Sequence, residues 1–297
     1  MPSQGRARDF ALLFVLSSIW GGSYMLIKVA LDTVPPVTVA AGRILLAALV
    51  LAVVVRVRGE RLPAGPRAWA PFVVIAVFGN VLPFSLINWG ELRIDSGLAA
   101  ILTGFMPLAT VLLAHVFIHD ERFTAAKGWG LAAGLVGLVV LVGPDALAGL
   151  GSDVLAQLSV VGAAVCYAIT TVYARRLRPR SPMETATASL IVAAVLIVPA
   201  ALVIETPWTL APSVVALGAI AVLGIVGTAA ASLLVYHLIA TTGATFTAQI
   251  NYLIPMMGVA WGVAVLGERP SAGALFALVL ILSGIGLSGR RPSPAPD

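Results

Sequence analysis

"LGERPSAG", residues 266–273, sets a glutamate and an arginine side by side in an otherwise oily stretch, and "HDERFTAA", residues 119–126, does the same earlier. Both read Glu-Arg-x-Ser/Thr, and 147 positions separate them. Sliding the chain by that offset also lays Gly137 on Gly284, Trp20 on Tyr167, Lys28 on Arg175, Pro35 on Pro182, Thr38 on Thr185 and Trp89 on Tyr236. Pro107 and Pro255 match with a slip of one. The matched residues are the non-oily ones, so the register is not an artefact of Ala/Leu-rich composition. Weak internal symmetry of this kind marks transporter folds.

Composition sets the solvent. Of 297 residues, 60% are hydrophobic and 10% charged. A soluble domain of this length is about one quarter charged, so this chain cannot dress a water-facing surface. Apolar blocks of ~20 residues, long enough to span a bilayer core, alternate with short polar breaks. The blocks are 9–31, 37–56, 68–89, 96–118, 124–143, 153–175, 184–204, 213–240, 244–266 and 271–289. The start "MPSQGRARDF" is basic, as in a signal peptide, but the following apolar run is too long for one and lacks a small-x-small cleavage site. We expect it to be a retained first helix. The single cysteine, Cys166, cannot form an intrachain disulfide.

Lys and Arg in short loops set orientation. With ten spans, 14 basic residues fall on one side (Arg6, Arg8, Arg56, Arg58, Arg61, Arg67, Arg122, Lys127, Arg175, Arg176, Arg178, Arg180, Arg290 and Arg291) and only Arg93 and Arg269 on the other. Both termini are therefore expected in the cytoplasm. The fold class expected is all-α, a polytopic protein of ten transmembrane helices. Residues 1–147 form a first five-helix repeat and 148–297 a second. Five is odd, so the second copy runs inverted. One Glu-Arg loop, with Glu121, then faces the cytoplasm and the other, with Glu268, faces outward. Such a pair suits a two-sided gate, while a capped loop with a surface ion pair is the plainer alternative. Thr124 and Ser271 are placed to N-cap the helices that follow.

The order and repetition of these motifs resemble the drug/metabolite transporter superfamily in its EamA-type branch. The resemblance rests on "LGER" with Ser271, "HDER" with Thr124, the proline-containing fourth and ninth helices, "SSIWGGSYMLIK" and "AAGRILLAALVL". It covers nearly the whole chain. Asp120 stands where that family often has glycine. The resemblance implies ten spans in inverted repeats and export of amino acids or related small metabolites from a bacterial inner membrane.

In inverted-repeat carriers the cargo site lies near the midplane, between the repeats. Polar and aromatic groups inside the apolar blocks are the candidates. Helix 3 offers Asn80, Asn88 and Trp89, with Pro83 as a kink. Helix 4 offers Thr103 and Pro107, and helix 9 offers Gln249, Asn251, Tyr252 and Pro255. Trp20 and Tyr24 on helix 1, and Tyr167 and Thr171 on helix 6, form a matched set. Trp20 lies about 18 Å into its helix, too deep for an interfacial aromatic belt. Each candidate competes with plain helix packing. Arg43, about 9 Å inside helix 2, could snorkel to the interface, hold a cargo carboxylate or brace an unwound carbonyl. Lys28 reads as a snorkelling anchor.

Every Asp and Glu falls in a predicted loop or at a helix end, so a buried carboxylate for ion coupling is not expected. A facilitator or exchanger fits better. No HExxH metal spacing or Gly-x-Ser-x-Gly elbow is present. An integral-membrane enzyme and a channel-like pore are the rival classes. No catalytic residue, metal or cofactor is expected; the partners expected are a small-molecule substrate and the lipid bilayer, with no nucleic acid.

Overall fold

The structure is a computed structural model that describes residues 3–117, 125–142, 152–175, 177 and 181–288. Among them run ten helices in chain order: α1 (Ser3–Leu31), α2 (Pro36–Val57), α3 (Pro66–Gly90), α4 (Ser96–Phe117), α5 (Ala125–Val142), α6 (Ser152–Ala174), α7 (Pro182–Ile204), α8 (Val214–Thr242), α9 (Ala244–Thr247 continuing as Ile250–Leu266) and α10 (Ala272–Ser288). Seven are long and apolar enough to cross a membrane, and the apolar parts of α5, α9 and α10 are shorter. The ends agree with the apolar blocks because polar breaks and prolines terminate each run. Pro36, Pro66 and Pro182 each occupy the first turn of a helix, where a missing N–H costs nothing.

The packing has a two-fold pattern. α2 packs on α7, α5 on α10, α1 on α8 and α9, and α6 on α3 and α4. Exchanging each helix for its partner in the other half turns this set into itself, and every pair joins one half to the other. Each half completes the other's core, as expected of two inverted five-helix repeats.

Lipid removes the hydrophobic drive for helix association, so close packing of small residues takes over. A Cβ on Gly21 would lie 2.5 Å from Met257 Cβ and 2.8 Å from the Gly258 nitrogen, so α1 and α9 nearly touch backbone to backbone. A Cβ on Gly284 would come 2.5 Å from the Gly130 carbonyl oxygen, which makes the α5–α10 crossing equally tight. Val53, Val57, Val203 and Val214 point outward and are exposed.

Two helices change register at matching places. In α3, Val77–Val81 is π-helical, and in α8, Ile225–Ala230 is too. Each segment holds a central glycine, Gly79 and Gly227. A π-bulge leaves local backbone groups free and is frequent at functional sites. Pro83 follows the first bulge as the second residue of the α-helix Leu82–Gly90, so the frame change just before it accommodates its missing N–H. In α4 the break falls at Gly104–Phe105, with Pro107 just inside the second half, Met106–Phe117. Pro255 stays inside Ile250–Leu266, and α9 breaks earlier, at Ala248–Gln249.

One end of the bundle is tied across the halves by carboxylates. Glu268 accepts the backbone N–H groups of Ser96 (2.8 Å) and Gly97 (2.9 Å) at the start of α4. Glu205 accepts those of Val37 (3.0 Å) and Thr38 (2.6 Å) and the Thr38 hydroxyl (2.7 Å) at the start of α2. These are N-caps supplied by the opposite half, placed where orphan donors and the helix dipole favour an anion. The Ser213 N–H donates to Thr33 Oγ1 at 3.1 Å beside them. The Gly-Glu part of the Leu-Gly-Glu-Arg motif and the serine that follows it are thereby explained. Gly267 takes the left-handed conformation (φ 68°) that ends α9, Glu268 reaches across to α4, and Ser271 Oγ accepts the Ala274 N–H at 3.1 Å to cap α10. The matching residues Glu121, Arg122 and Thr124 lie outside the described residues.

Candidate functional site

A cavity of about 390 Å³ lies between the halves, lined by every helix except α5 and α10. That volume is at the small end of ligand pockets, about 300–1,000 Å³, and suits a small metabolite. Both π segments border it through Gly79, Asn80, Gly227 and Thr228.

Most of the sequence-nominated residues meet here. Trp20, Tyr24, Arg43, Asn80, Thr103, Pro107, Tyr167, Thr171, Asn251 and Pro255 all line the cavity. Trp20 Nε1 donates to the Gly227 carbonyl at 3.2 Å, which fixes the indole against the α8 bulge. The Thr103 and Thr171 hydroxyls donate back to their own helices, to Ala99 and Tyr167 carbonyls at 2.8 and 2.9 Å. Each keeps acceptor capacity for a cargo. Asn80 Nδ2 reaches the Ile75 carbonyl at 3.4 Å.

Arg43 supplies the charge. It is 7% exposed, so it does not snorkel to an interface. Its Nε–H donates to Thr228 Oγ1 at 2.7 Å, and Thr228 Oγ1 in turn donates to the Leu223 carbonyl at 2.9 Å inside the bulge. The guanidinium lies 4.0 Å from the Phe84 ring centroid, a cation–π contact. No protein acceptor occupies its two terminal amino groups among the described residues. Among the described residues, no Asp or Glu lines the cavity.

Other nominated residues lie elsewhere. Asn88 is 1% exposed and donates to the Pro36 carbonyl at 2.9 Å, joining α3 to the start of α2. Trp89 is 45% exposed on the outer surface. Gln249 and Tyr252 border a separate apolar groove between α1 and α9, with Phe10, Phe14 and Leu253. A face shared by Gln249 and Tyr252 was legible in the sequence; which side of α9 it turned to was not. Pro83 is buried in α3 outside the cavity lining. Glu268 belongs to the tied end, and Glu121 is outside the described residues.

The structure adds Phe84, Thr170, Ser189, Thr228, Ser232 and Tyr236 to the lining. The repeat offset could have found Thr228, which falls opposite Asn80 once the one-residue slip is applied. Lys28 is not a free anchor: its Nζ donates to the Glu91 and Ile94 carbonyls at 2.6 and 2.9 Å, tying α1 to the α3–α4 turn. Glu91 was expected at a helix end, and it stands there, but it is buried.

A cavity shared by two inverted halves is the geometry of a carrier. The sequence matches the EamA-like transporter family twice, over residues 10–143 and 154–290. The chain belongs to the EamA-like transporter family. It is a multi-pass membrane transporter of small metabolites and not an enzyme. Among EamA-type relatives, it is 26% identical to the uncharacterized inner membrane transporter YedA of Escherichia coli (strain K12), over 97% of this chain and 94% of that one. It is 28% identical to the S-adenosylmethionine/S-adenosylhomocysteine transporter of Chlamydia trachomatis, over 92% of this chain and 86% of that one. A solved crystal structure shares the fold at a TM-score of 0.67 and 19% identity, covering 95% of this chain and 96% of the other.

Proposed function

We propose that this EamA-type carrier exports small carboxylate-bearing metabolites, amino acids and related compounds, across a bacterial cytoplasmic membrane by alternating access. Arg43 is the observation that carries this reading. A buried guanidinium whose fork no described residue occupies, in a cavity that no described Asp or Glu lines, matches a carboxylate bidentately. Trp20, Tyr24 and Tyr167 supply flat apolar walls, and the threonine hydroxyls supply acceptors for an amino group. The Chlamydia relative's named cargo, S-adenosylmethionine, carries an amino-acid carboxylate, which is in keeping with this class.

The basic loops put both termini in the cytoplasm, so the end tied by Glu205 and Glu268 faces outward. Transport is then a rocking of the halves about the cavity, with the outer ties made in one state and broken in the other. The cargo gradient drives net flux, as in a facilitator or exchanger. Counterflow in proteoliposomes tests the reading: preloaded amino acid should draw labelled amino acid inward and saturate. A channel would show neither counterflow nor trans-stimulation.

A further inference from the structure

Glu91 directly follows the last residue of α3 and is 1% exposed. Among the described residues, neither carboxylate oxygen has a protein donor within hydrogen-bonding reach. Lys28, the cation of α1 that faces it, spends hydrogen bonds on the main-chain carbonyls of Glu91 and Ile94 instead of on the carboxylate. The other charged groups facing it are Arg43 from α2 and Glu268 from the α9–α10 turn.

The contrast with the two tying carboxylates is chemical. Glu205 and Glu268 accept two or three N–H or O–H bonds each. Glu91 has none. Holding a bare carboxylate out of water costs several kcal/mol, and a proton removes that cost while turning one acceptor into a donor. Burial is the main influence and pushes the Glu91 carboxyl well above the usual carboxylate range; Lys28 pulls it down, Glu268 pushes it up and Arg43 pulls it down.

We propose that Glu91 is a proton-binding site of the tied end, occupied while that end is shut and emptied when it opens. Breaking the Glu268 bonds to Ser96 and Gly97 loosens the start of α4 and admits water to the α3–α4 turn. The carboxyl O–H bond then breaks heterolytically. The proton passes to external water, the electron pair stays on the carboxylate, and the new charge faces the Lys28 ammonium. Closure reverses the step. The proton enters and leaves on one side, so none crosses the membrane and pH on that side sets how often the end opens. The site depends on that opening and not on the identity of the cargo.

Infrared spectra of the full-length protein in phosphatidylcholine vesicles, with and without carbon-13 glutamate, test occupancy directly. The expected result near neutral pH is a protonated-carboxyl band that shifts with labelled glutamate and is lost in Glu91→Gln. No glutamate-derived band in the unsubstituted protein overturns the proposal, and so does a band undiminished in Glu91→Gln. If Glu91→Gln does not insert, the absence of a glutamate-derived band in the unsubstituted protein still overturns the proposal, and the same readout in Glu91→Asp, whose band no longer shifts with labelled glutamate, assigns it. Spin labels at positions 32 and 209, on a Cys166→Ser background, read the open-to-shut ratio. One linked proton makes that ratio rise about tenfold per pH unit across the titration, and Glu91→Gln flattens the rise. Equal slopes in the two proteins overturn the linkage. A failed counterflow assay with intact infrared and spin-label results would indict the cargo class alone.

Discussion

Glu268 and Gly97, 171 positions apart, meet at 2.9 Å, where the carboxylate of one accepts the backbone N–H of the other. One belongs to the α9–α10 turn of the second half and the other to the start of the fourth helix of the first. Together with Glu205, which caps the start of α2, this makes the tie at that end of the bundle a pair of helix caps donated in trans. At about 1–2 kcal/mol such a cap is strong enough to bias a conformation and weak enough to be released.

Glu268→Ala and Glu205→Ala should each weaken the shut state by about 1–2 kcal/mol, the usual worth of an N-cap. That is roughly a five- to thirty-fold shift toward opening. Spin-label distances between the α1–α2 and α7–α8 loops read it. An unchanged open fraction in both variants would mean the caps do not hold the closure.

Arg43→Gln should raise the half-saturating cargo concentration about ten- to a hundredfold, because a hydrogen bond to a charged group is worth about 1.5–3 kcal/mol. Arg43→Lys should recover little, since an ammonium cannot reproduce both the Thr228 bond and a bidentate fork. Saturation curves in counterflow check both. A lysine variant as good as arginine would reduce the role of Arg43 to charge alone.

Gly21→Val should destabilise the fold by about 1–3 kcal/mol through overpacking, because α1 and α9 leave no room for a side chain there. The apparent melting midpoint in detergent reports it. Gly218→Ala is the control, with nothing within 4 Å of an added Cβ, and should not lower the midpoint, since alanine also favours the helix there.

Stability should fall as pH rises, with a sign set by Glu91. Burial holds its carboxyl above the unfolded value, so the folded state binds the extra proton. Its contribution is fully present below the ordinary carboxylate range and is lost as pH climbs through the raised value. Glu91→Gln should flatten that part of a midpoint-against-pH curve, and an unaltered curve would contradict the assignment.

Much of this architecture was legible in the sequence because lipid imposes simple rules. Apolar block length, proline at helix starts and loop arginines gave ten helices with ends close to those observed. The one-offset repeat pointed to a shared cavity, where Trp20, Tyr24, Tyr167 and Asn251 do meet. Rotation about a helix axis was not legible, because both sides of α9 are apolar and Gln249 could face either groove or cavity. The π segments were hidden as well, since "VFGNV" and "IVGTAA" carry no local signal beyond a glycine. Glu91 shows a third limit: its place at a helix end is a property of the chain, whereas its burial comes from α1 and the opposite half closing over it.

The most direct test of the inverted, two-half architecture is sidedness. Arg61 and Thr209 occupy corresponding loops, α2–α3 and α7–α8, and both are exposed. Single cysteines at these positions, in the Cys166→Ser background, can be labelled from either side of sealed membranes with an impermeant maleimide. Inverted halves require position 61 to react only from the cytoplasmic side and position 209 only from outside. Labelling of both from the same side would contradict the inverted repeat, the shared cavity and the trans-capped closure together.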